Sequence, residues 1–541
     1  MNADSTRTAL YRLVLMAGLG LSVVLLGQWM GVRPGHLLNS QSLGHAAGLL
    51  KGLGQPNSQM DFLQRVGRLL LESLGIGFLG LLLALLLATP MAIFAANFPG
   101  LEDPPKQPTW QKIFFNIIRW CIRALLSFFR AIPEIIWAFL FVRMLGLGPG
   151  PAVLAIALTF GGIIGKLYAE LIEACPAAPI QALQASGCGK LGILLYGILP
   201  QIKNQWLGYA LFRLECSIRS ASILGVVGAG GIGAEIALSI RYYQYDRLST
   251  ALLAVLVCVI FFELLSHFLK RIHIGWSALL LCAGSLFGLF FLSIPWSDLL
   301  SSQTWEQCGR FVAGFIHPNI QSAWLWKAIS LMVETLAMAW CATFLAALIA
   351  FFLAPLAAKT LALSGVLEQN VSNPLLKLGR RVLYLGSRLM MQLTRTLPEL
   401  VWALLFIIWV GPGIFAGILA IMLHNVGVLG RLFSEVYEEA NSAPLRALEA
   451  NGTGILGRWL YGILPQVTSP ILSYALFRFE VNIRMTAMIG FVGAGGIGDA
   501  IHTALSLFHF GDLATLLLVL FASVLIVDML GQKIRRRLLS K

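Results

Sequence analysis

The chain has 541 residues, 58% of them hydrophobic and only 12% charged, with a net charge of +14 and a mean hydropathy of +0.80. That balance argues against an ordinary soluble domain or a disordered segment and points to a protein of the lipid bilayer. The eight cysteines lie mostly in apolar stretches without CxxC spacing, so they read as small buried hydrophobes rather than a disulfide or metal framework.

A membrane-crossing helix needs about 20 mostly apolar residues. Such runs occur near residues 10–29, 69–97, 134–147, 151–168, 203–228 and 248–269, and again near 276–294, 328–356, 399–411, 414–431, 468–493 and 513–530. The first run passes into Gly31-Val-Arg-Pro-Gly without a small-x-small cleavage site, which predicts an uncleaved helix rather than a signal peptide. The fold class expected is all-α and polytopic, with about 12 transmembrane helices. Six spans per half make the repeat parallel rather than inverted.

With both termini placed in the cytoplasm, Lys and Arg gather on the inner side. They include Lys106, Lys112, Arg119, Arg123 and Arg130, their counterparts from Lys377 to Arg395, and the closing run Lys533 to Lys541. Topology thus accounts for the basicity without a nucleic-acid partner. Lys270 to His273 forms a short inner joint between the halves, while 30–67 and 295–327 are long outer segments. Trp296, Trp305, Trp324 and Trp326 in the latter read as interfacial anchors.

The halves are copies. Tyr196 to Ile236 and Tyr461 to Ile501, aligned at an offset of 265, share 24 identities in 41 positions. Arg130 and Arg395, Pro133 and Pro398, and Lys270-Arg271 and Arg535-Arg536 keep the same offset. Two repeats, 1–272 and 273–541, are expected.

Within the copied stretch, Gly228, Gly230 and Gly233, with Gly231, satisfy GxGxxG, as do Gly493, Gly495 and Gly498, with Gly496. A dinucleotide fold would require a βαβ unit, whereas these glycines end an apolar helix. Close packing of small residues, or a broken helix lining a path, are the physical alternatives. Gly161-Gly-Ile-Ile-Gly165-Lys166 lacks the spacing and hydroxyl of a phosphate loop, so no ATP site is expected in the chain. Nor is there a catalytic or metal-binding constellation.

Arg213, Glu215 and Arg219 recur as Arg478, Glu480 and Arg484 inside a span. An unpaired charge there costs about 2.5–3.5 kcal/mol on insertion scales. The i,i+4 spacing predicts Glu215–Arg219 and Glu480–Arg484 pairs, with cations left to attract an oxyanion or to position the helix. Glycine N–H groups at broken helix ends are a second possible anion site. Glu72 and Glu334, and the matched Glu263 and Asp528, read as structural.

Between the fourth and fifth spans of each half lies an inner segment, Glu170 to Pro200 and Glu435 to Pro465. In each, proline opens a short Ala-rich helix, Gly187 or Gly452 closes it, and Leu199-Pro200 or Leu464-Pro465 follows. The pattern resembles the EAA loop of ABC importer permeases. The motif falls on Gln181, Ala182 and Leu183 in one half and on Arg446, Ala447 and Leu448 in the other. Its leading glutamate and third alanine are therefore replaced.

Within that superfamily the chain resembles phosphonate and phosphite importer permeases. The resembling pieces are Arg130-Ala-Ile-Pro-Glu134, Arg395-Thr-Leu-Pro-Glu399, His424 to Glu435, Tyr474 to Glu480 and both Val-Gly-Ala-Gly-Gly-Ile-Gly runs. The resemblance implies two fused permease units, two copies of a cytoplasmic ATPase that carries ATP-Mg, an external binding protein, and no cofactor in this chain. It implies a small phosphorus oxyanion as cargo. Another small solute such as an amino acid or osmolyte, or an ion-gradient-driven carrier, are the rival readings.

Overall fold

Among the described residues, apolar runs become helices where the sequence placed spans. The computed structural model describes residues 18–98, 109–269, 274–295, 297, 301–362 and 374–539, and among them all regular structure is helical. Residues 10–17 of the first apolar run, Lys106, the joint Lys270 to His273, Trp296 and Lys541 lie outside the described residues.

The first half runs α1 (Gly18–Trp29), α2 (Met60–Ala95), α3 (Thr109–Ala131), α4 (Glu134–Leu145) and α5 (Pro149–Glu173). It continues with α6 (Ala177–Ala185), α7 (Leu199–Leu224), α8 (Ile232–Arg241) and α9 (Tyr245–Leu269). The second half repeats that order as α10 (Ile274–Phe291), α11 (Ser322–Ala357), α12 (Pro374–Thr396), α13 (Glu399–Val410) and α14 (Ile414–Glu439). It ends with α15 (Ala443–Ala450), α16 (Leu464–Ile489), α17 (Gly496–Ser506) and α18 (Phe510–Leu539).

Six of these helices, α2, α5, α9, α11, α14 and α18, are each long and apolar enough to cross a bilayer. Four bent pairs pass the same test jointly: α3–α4 at 89°, α12–α13 at 94°, and the segments ending in α7–α8 at 46° and α16–α17 at 50°. The apolar α1 and α10 are shorter. The inner segments before the third span of each half, read from sequence as basic loops, contain the 23-residue helices α3 and α12. Their cations lower the average hydropathy while leaving a helical period intact.

Two compact units form, and they do not follow the sequence halves. One gathers the described residues of Met1–Leu49, Asn319–Leu507 and Thr515–Lys541; the other gathers those of Leu50–Pro318 and Phe508–Ala514. In the first, α1 packs on α11, where Trp340 Nε1 donates to Ser22 Oγ at 3.0 Å. In the second, α10 packs on α2, where Ser285 Oγ donates to the Phe78 carbonyl at 3.3 Å. A side chain on Gly284 would overlap the Phe78 ring, so the glycine sets how closely these helices meet. Each repeat's first helix thus serves the other repeat's core.

Each unit is built on a small-residue seam, as expected where packing rather than hydrophobicity joins helices in lipid. Ala84, Ala88 and Ala92 of α2 are fully buried, and so are Ala346, Ala350 and Ala354 of α11. The latter three share a core with Val426, Leu429, Phe433 and Tyr437 of α14. A Cβ on Gly80 would come within 2.9 Å of Ile156, and one on Gly161 within 2.8 Å of Leu87, so α2 and α5 lie nearly backbone to backbone.

The glycines that loosely resemble a phosphate loop serve packing. A Cβ on Gly162 would meet the Leu126 carbonyl at 2.8 Å, and one on Gly427 would meet the Met391 carbonyl at 2.6 Å. They let the C-terminal turns of α3 and α12 seat against α5 and α14.

Candidate functional site

The two inner segments fold alike because the same residues dictate the same turns. In α6, Ile180 is fully buried and Leu183 half-buried, whereas Gln181 and Ala182 are exposed. In α15, Leu445 is buried and Leu448 half-buried, whereas Arg446 and Ala447 are exposed. The third position of the motif therefore faces inward: Leu183 abuts Gly197, and Leu448 abuts Gly462. Leucine there fills a seat on the unit's own surface. The first two positions are the ones presented outward.

Both short helices stop on the same cap. Gly187 and Gly452 have φ of +78° and +73°. Cys188 N–H donates to the Leu183 carbonyl and Gly187 N–H to that of Gln184; Thr453 donates to Leu448 and Gly452 to Glu449. This left-handed closure satisfies the last carbonyls and explains the paired glycines.

Wide π-helical turns, Ile193–Ile198 and Arg458–Ile463, carry the chain from there into α7 and α16. Pro200 and Pro465 follow at once and have no N–H to give the preceding turn. Leu199 and Leu464 instead donate five residues back, to Leu194 and Trp459. In the second half of the chain Glu449 pairs with Arg458 at 2.8 Å, tying α15 to its turn.

Just before each segment sits a clamp that the sequence reading missed. Arg123 Nε donates to the Ala95 carbonyl at 2.8 Å, and its guanidinium pairs with Glu173, which also accepts from Asn97 N–H at 2.8 Å. In the second half of the chain Arg388 Nε donates to the Ala357 carbonyl at 3.1 Å and Nη2 pairs with Glu438 at 2.8 Å. Glu438 also accepts from Lys359 N–H at 2.7 Å. Each clamp ties the ends of two helices to the body of a third. Its sequence signal was the shared offset of Arg123 and Arg388, and of Glu173 and Glu438.

The glycine runs break the long helices as the spacing suggested. Gly228, Gly230 and Gly231 have φ of +88°, +76° and +74°, and Gly493, Gly495 and Gly496 have +90°, +80° and +70°. Gly233 and Gly498 serve contact instead: a Cβ on Gly233 would lie 2.6 Å from the Ser222 carbonyl, and one on Gly498 would overlap that of Ala487. The re-entering helices are held by α2 and α11. Ser73 Oγ accepts from Ile232 N–H at 2.9 Å, Thr335 Oγ1 from Ile497 N–H at 2.9 Å, and Glu334 Oε1 from Gly496 N–H at 2.9 Å. These N–H groups at the broken ends already have protein acceptors. Glu72 lies against Gly230, where an added Cβ would stand 2.5 Å from its Oε1.

The matched intramembrane charges are held differently in the two units. Arg213 donates to Tyr209 Oη from Nε at 2.9 Å and Nη2 at 2.6 Å, and lies 5.6 Å from the Phe160 and Phe212 ring centres. Arg478 Nε instead donates to Asn425 Oδ1 at 2.7 Å. Asn425 donates to Asn482 Oδ1 at 2.9 Å, and Asn482 to Thr343 Oγ1 at 2.7 Å, forming a buried polar ladder across α14, α16 and α11. Phe160 and Ser217 occupy the places of Asn425 and Asn482 at the 265 offset.

Glu480 pairs with Arg535 of α18, and Gly531 leaves the space its carboxylate fills. Arg484, the i,i+4 neighbour of Glu480, is half-buried in α16, and Arg535 adds a partner from a neighbouring helix. Glu215 and Arg219 are likewise half-buried in α7. Ser220 Oγ donates to Glu134 at 2.7 Å, and His424 Nε2 lies 3.6 Å from Glu399, so the matched glutamates at the starts of α4 and α13 meet unlike partners.

Paired short capped helices, paired glycine breaks and a shared all-helical repeat fit the membrane component of a solute transporter. The chain matches the family described as binding-protein-dependent transport system inner membrane component over residues 88–274 and 377–540, and it belongs to that family. Among curated proteins it is 29% identical over 500 residues to the phosphate-import permease protein PhnE of Mycolicibacterium smegmatis, covering 89% of this chain and 87% of that one. It is 37% identical over 170 residues to the putative phosphite transport system permease protein HtxE of Stutzerimonas stutzeri, covering 31% of this chain and 65% of that one. Of solved structures, an inward-facing MetNI methionine ABC transporter chain matches at 20% identity with a TM-score of 0.33, covering 39% of this chain and 98% of that one.

Proposed function

We propose that the chain is a fused double permease, with repeats 1–272 and 273–541, that admits a small phosphorus oxyanion to the cytoplasm. Two copies of an ATPase would engage α6 and α15 through Gln181, Ala182, Arg446 and Ala447, and an external binding protein would deliver the cargo. Both termini would face the cytoplasm. The observation that carries this reading is the match to a phosphate-import permease over 89% of the chain, together with two coupling segments of one geometry.

In this mechanism ATP acts only on the partner subunits. Closure of the ATPases pushes α6 and α15, whose caps and π-turns pass the displacement into α7 and α16. The glycine breaks after Gly228 and Gly493 then shift against the anchors on α2 and α11. Arg213 and Arg478, with Glu215, Arg219, Glu480 and Arg484 nearby, supply the charge that an oxyanion path requires.

The test is uptake by proteoliposomes holding the chain, its ATPase and its binding protein. Phosphite, phosphate and methylphosphonate are offered against an amino acid and a betaine. ATP-dependent uptake of one phosphorus anion is expected. Uptake confined to the amino acid or betaine would overturn the cargo, and uptake driven by an ion gradient without ATPase would overturn the mechanism.

A further inference from the structure

The elbow helices α3 and α12 carry no Asp or Glu in 23 residues each. On α12, Lys377, Arg381, Arg388 and Arg395 fall within about 40° of one another at the α-helical advance per residue. Leu375, Leu378, Val382, Leu389 and Leu393 occupy the opposite side. That side is open: Leu375 is 75% exposed and Val382 and Leu389 are each 60% exposed. On α3 the corresponding open side is aromatic and aliphatic, with Trp110, Ile113, Phe114, Ile117 and Trp120 all exposed.

The protein grips each elbow by its C-terminal turns. Leu126 and Met391 are buried where the glycines of α5 and α14 receive them, and the Arg123 and Arg388 clamps lie just before. Each elbow then turns by 89° or 94° into α4 or α13. With α4 or α13 standing upright in the bilayer, a helix bent by that much from it runs along the membrane plane. With cations on one side and a continuous apolar stripe on the other, it has the build of an interfacial helix.

We propose that α12, and α3 with it, lies in the headgroup layer on the side that bears α6 and α15, and that α12 binds anionic phospholipid. Its apolar stripe enters the acyl boundary, and Lys377 and Arg381 meet the phosphodiester groups. The two elbows hold the layer by different means. At the 265 offset Arg381 becomes Asn116, which accepts from Arg119 at 3.0 Å, so α3 relies on aromatic insertion and α12 on charge. This inference does not depend on which solute is carried.

The experiment uses the whole transporter, chain with ATPase and binding protein, in nanodiscs of phosphatidylcholine into which phosphatidylglycerol is titrated. The readout is the thermal unfolding midpoint of the chain. Phosphatidylglycerol is expected to raise it, and Lys377→Gln and Arg381→Gln are each expected to raise the half-saturating lipid fraction about fivefold. Val382→Asp, on the apolar stripe, should abolish the rise. Identical titrations for wild type and the Lys377→Gln/Arg381→Gln variant would overturn the proposal. So would loss of the ATPase from that variant in phosphatidylcholine alone, which would mark the cationic side as a protein-docking surface. Inorganic phosphate reproducing the rise without phosphatidylglycerol would assign the cations to free phosphate and overturn it as well.

Discussion

Arg388 reaches Glu438 with Nη2 at 2.8 Å while its Nε holds the last turn of α11, so one guanidinium from the body of α12 binds the ends of α11 and α14 immediately before α15. Arg123 and Glu173 repeat the arrangement before α6. Both side chains of each pair are partly exposed, which limits the worth of the pair itself to about 1 kcal/mol. Arg388→Gln is therefore expected to leave the chain folded and to lower the uptake per ATP hydrolysed several-fold. A double-mutant cycle with Glu438→Gln, read in proteoliposomes, checks it. Additive losses would show that the two residues act independently.

The polar ladder gives the second half of the chain a liability that the first half lacks. Asn482 is fully buried between Asn425 and Thr343, and Asn482→Leu would strand both partners. A cost of about 1–3 kcal/mol in thermal stability is expected, with loss of the Arg478 orientation and a higher KM for the cargo. Ser217→Ala, at the matching place, should change either quantity little, since Ser217 Oγ donates within its own helix, to Leu214. Equal effects at both sites would contradict the asymmetry.

At the glycine breaks, backbone strain and steric overlap separate cleanly. A Cβ on Gly493 meets nothing nearer than Pro412 at 3.8 Å, so Gly493→Ala should cost only the left-handed φ, about 1–2 kcal/mol. Gly498→Ala drives its methyl into the Ala487 carbonyl and should abolish uptake or folding. Expression level, unfolding midpoint and transport of the two variants give the order directly.

Natural cysteines report sidedness. Cys188 follows the cap of α6 and is half-buried, so a membrane-impermeant maleimide should reach it from the ATPase side alone. Cys175, two residues past α5, is buried, and burial pushes its thiol above the ordinary range. Burial also raises the thiol of Cys308, in the outer segment. Because the thiolate is the nucleophile, a raised pKa leaves less of it at neutral pH. Labelling of Cys308 from outside and Cys175 from inside should therefore start slowly and keep rising beyond about pH 9, where an ordinary thiol levels off. Labelling Cys188 from the outer side would invert the proposed topology.

The outward positions of the coupling helices differ by one charge, Gln181 against Arg446. Arg446→Gln should equalise the two contacts, and Arg446→Glu should weaken ATPase capture roughly fivefold or more if the facing surface is acidic. Pull-down of the ATPase by the detergent-solubilised chain measures both. No change in capture for Arg446→Glu would remove this residue from the contact.

What the sequence disclosed was local. Gly187, Gly452, Pro200 and Pro465 carry their turn geometry in their own covalent structure, so the two short capped helices were readable from spacing, and a broken helix was one of the two readings that the glycine runs allowed. The elbows were not, because cations on every second turn of Lys377 to Arg395 masked an amphipathic period beneath a loop-like composition. Partner choice was also hidden. Glu480 pairs with Arg535, 55 positions away, a contact that spacing along one helix does not announce, because helix neighbours in space follow from tertiary packing and not from interval. The same holds for α1, whose apolarity announced burial but gave no hint that Trp340 would receive it.

The exchange of first helices has a consequence for how such a chain is inherited. A nick between residues 269 and 274 would not free two self-sufficient proteins, since each fragment would keep a rod whose seat belongs to its counterpart. The peptide linkage is therefore superfluous for cohesion. What it guarantees is parity: one aromatic-boxed half and one asparagine-laddered half in every complex, never two of a kind, so that the halves are free to diverge without risk of mispairing.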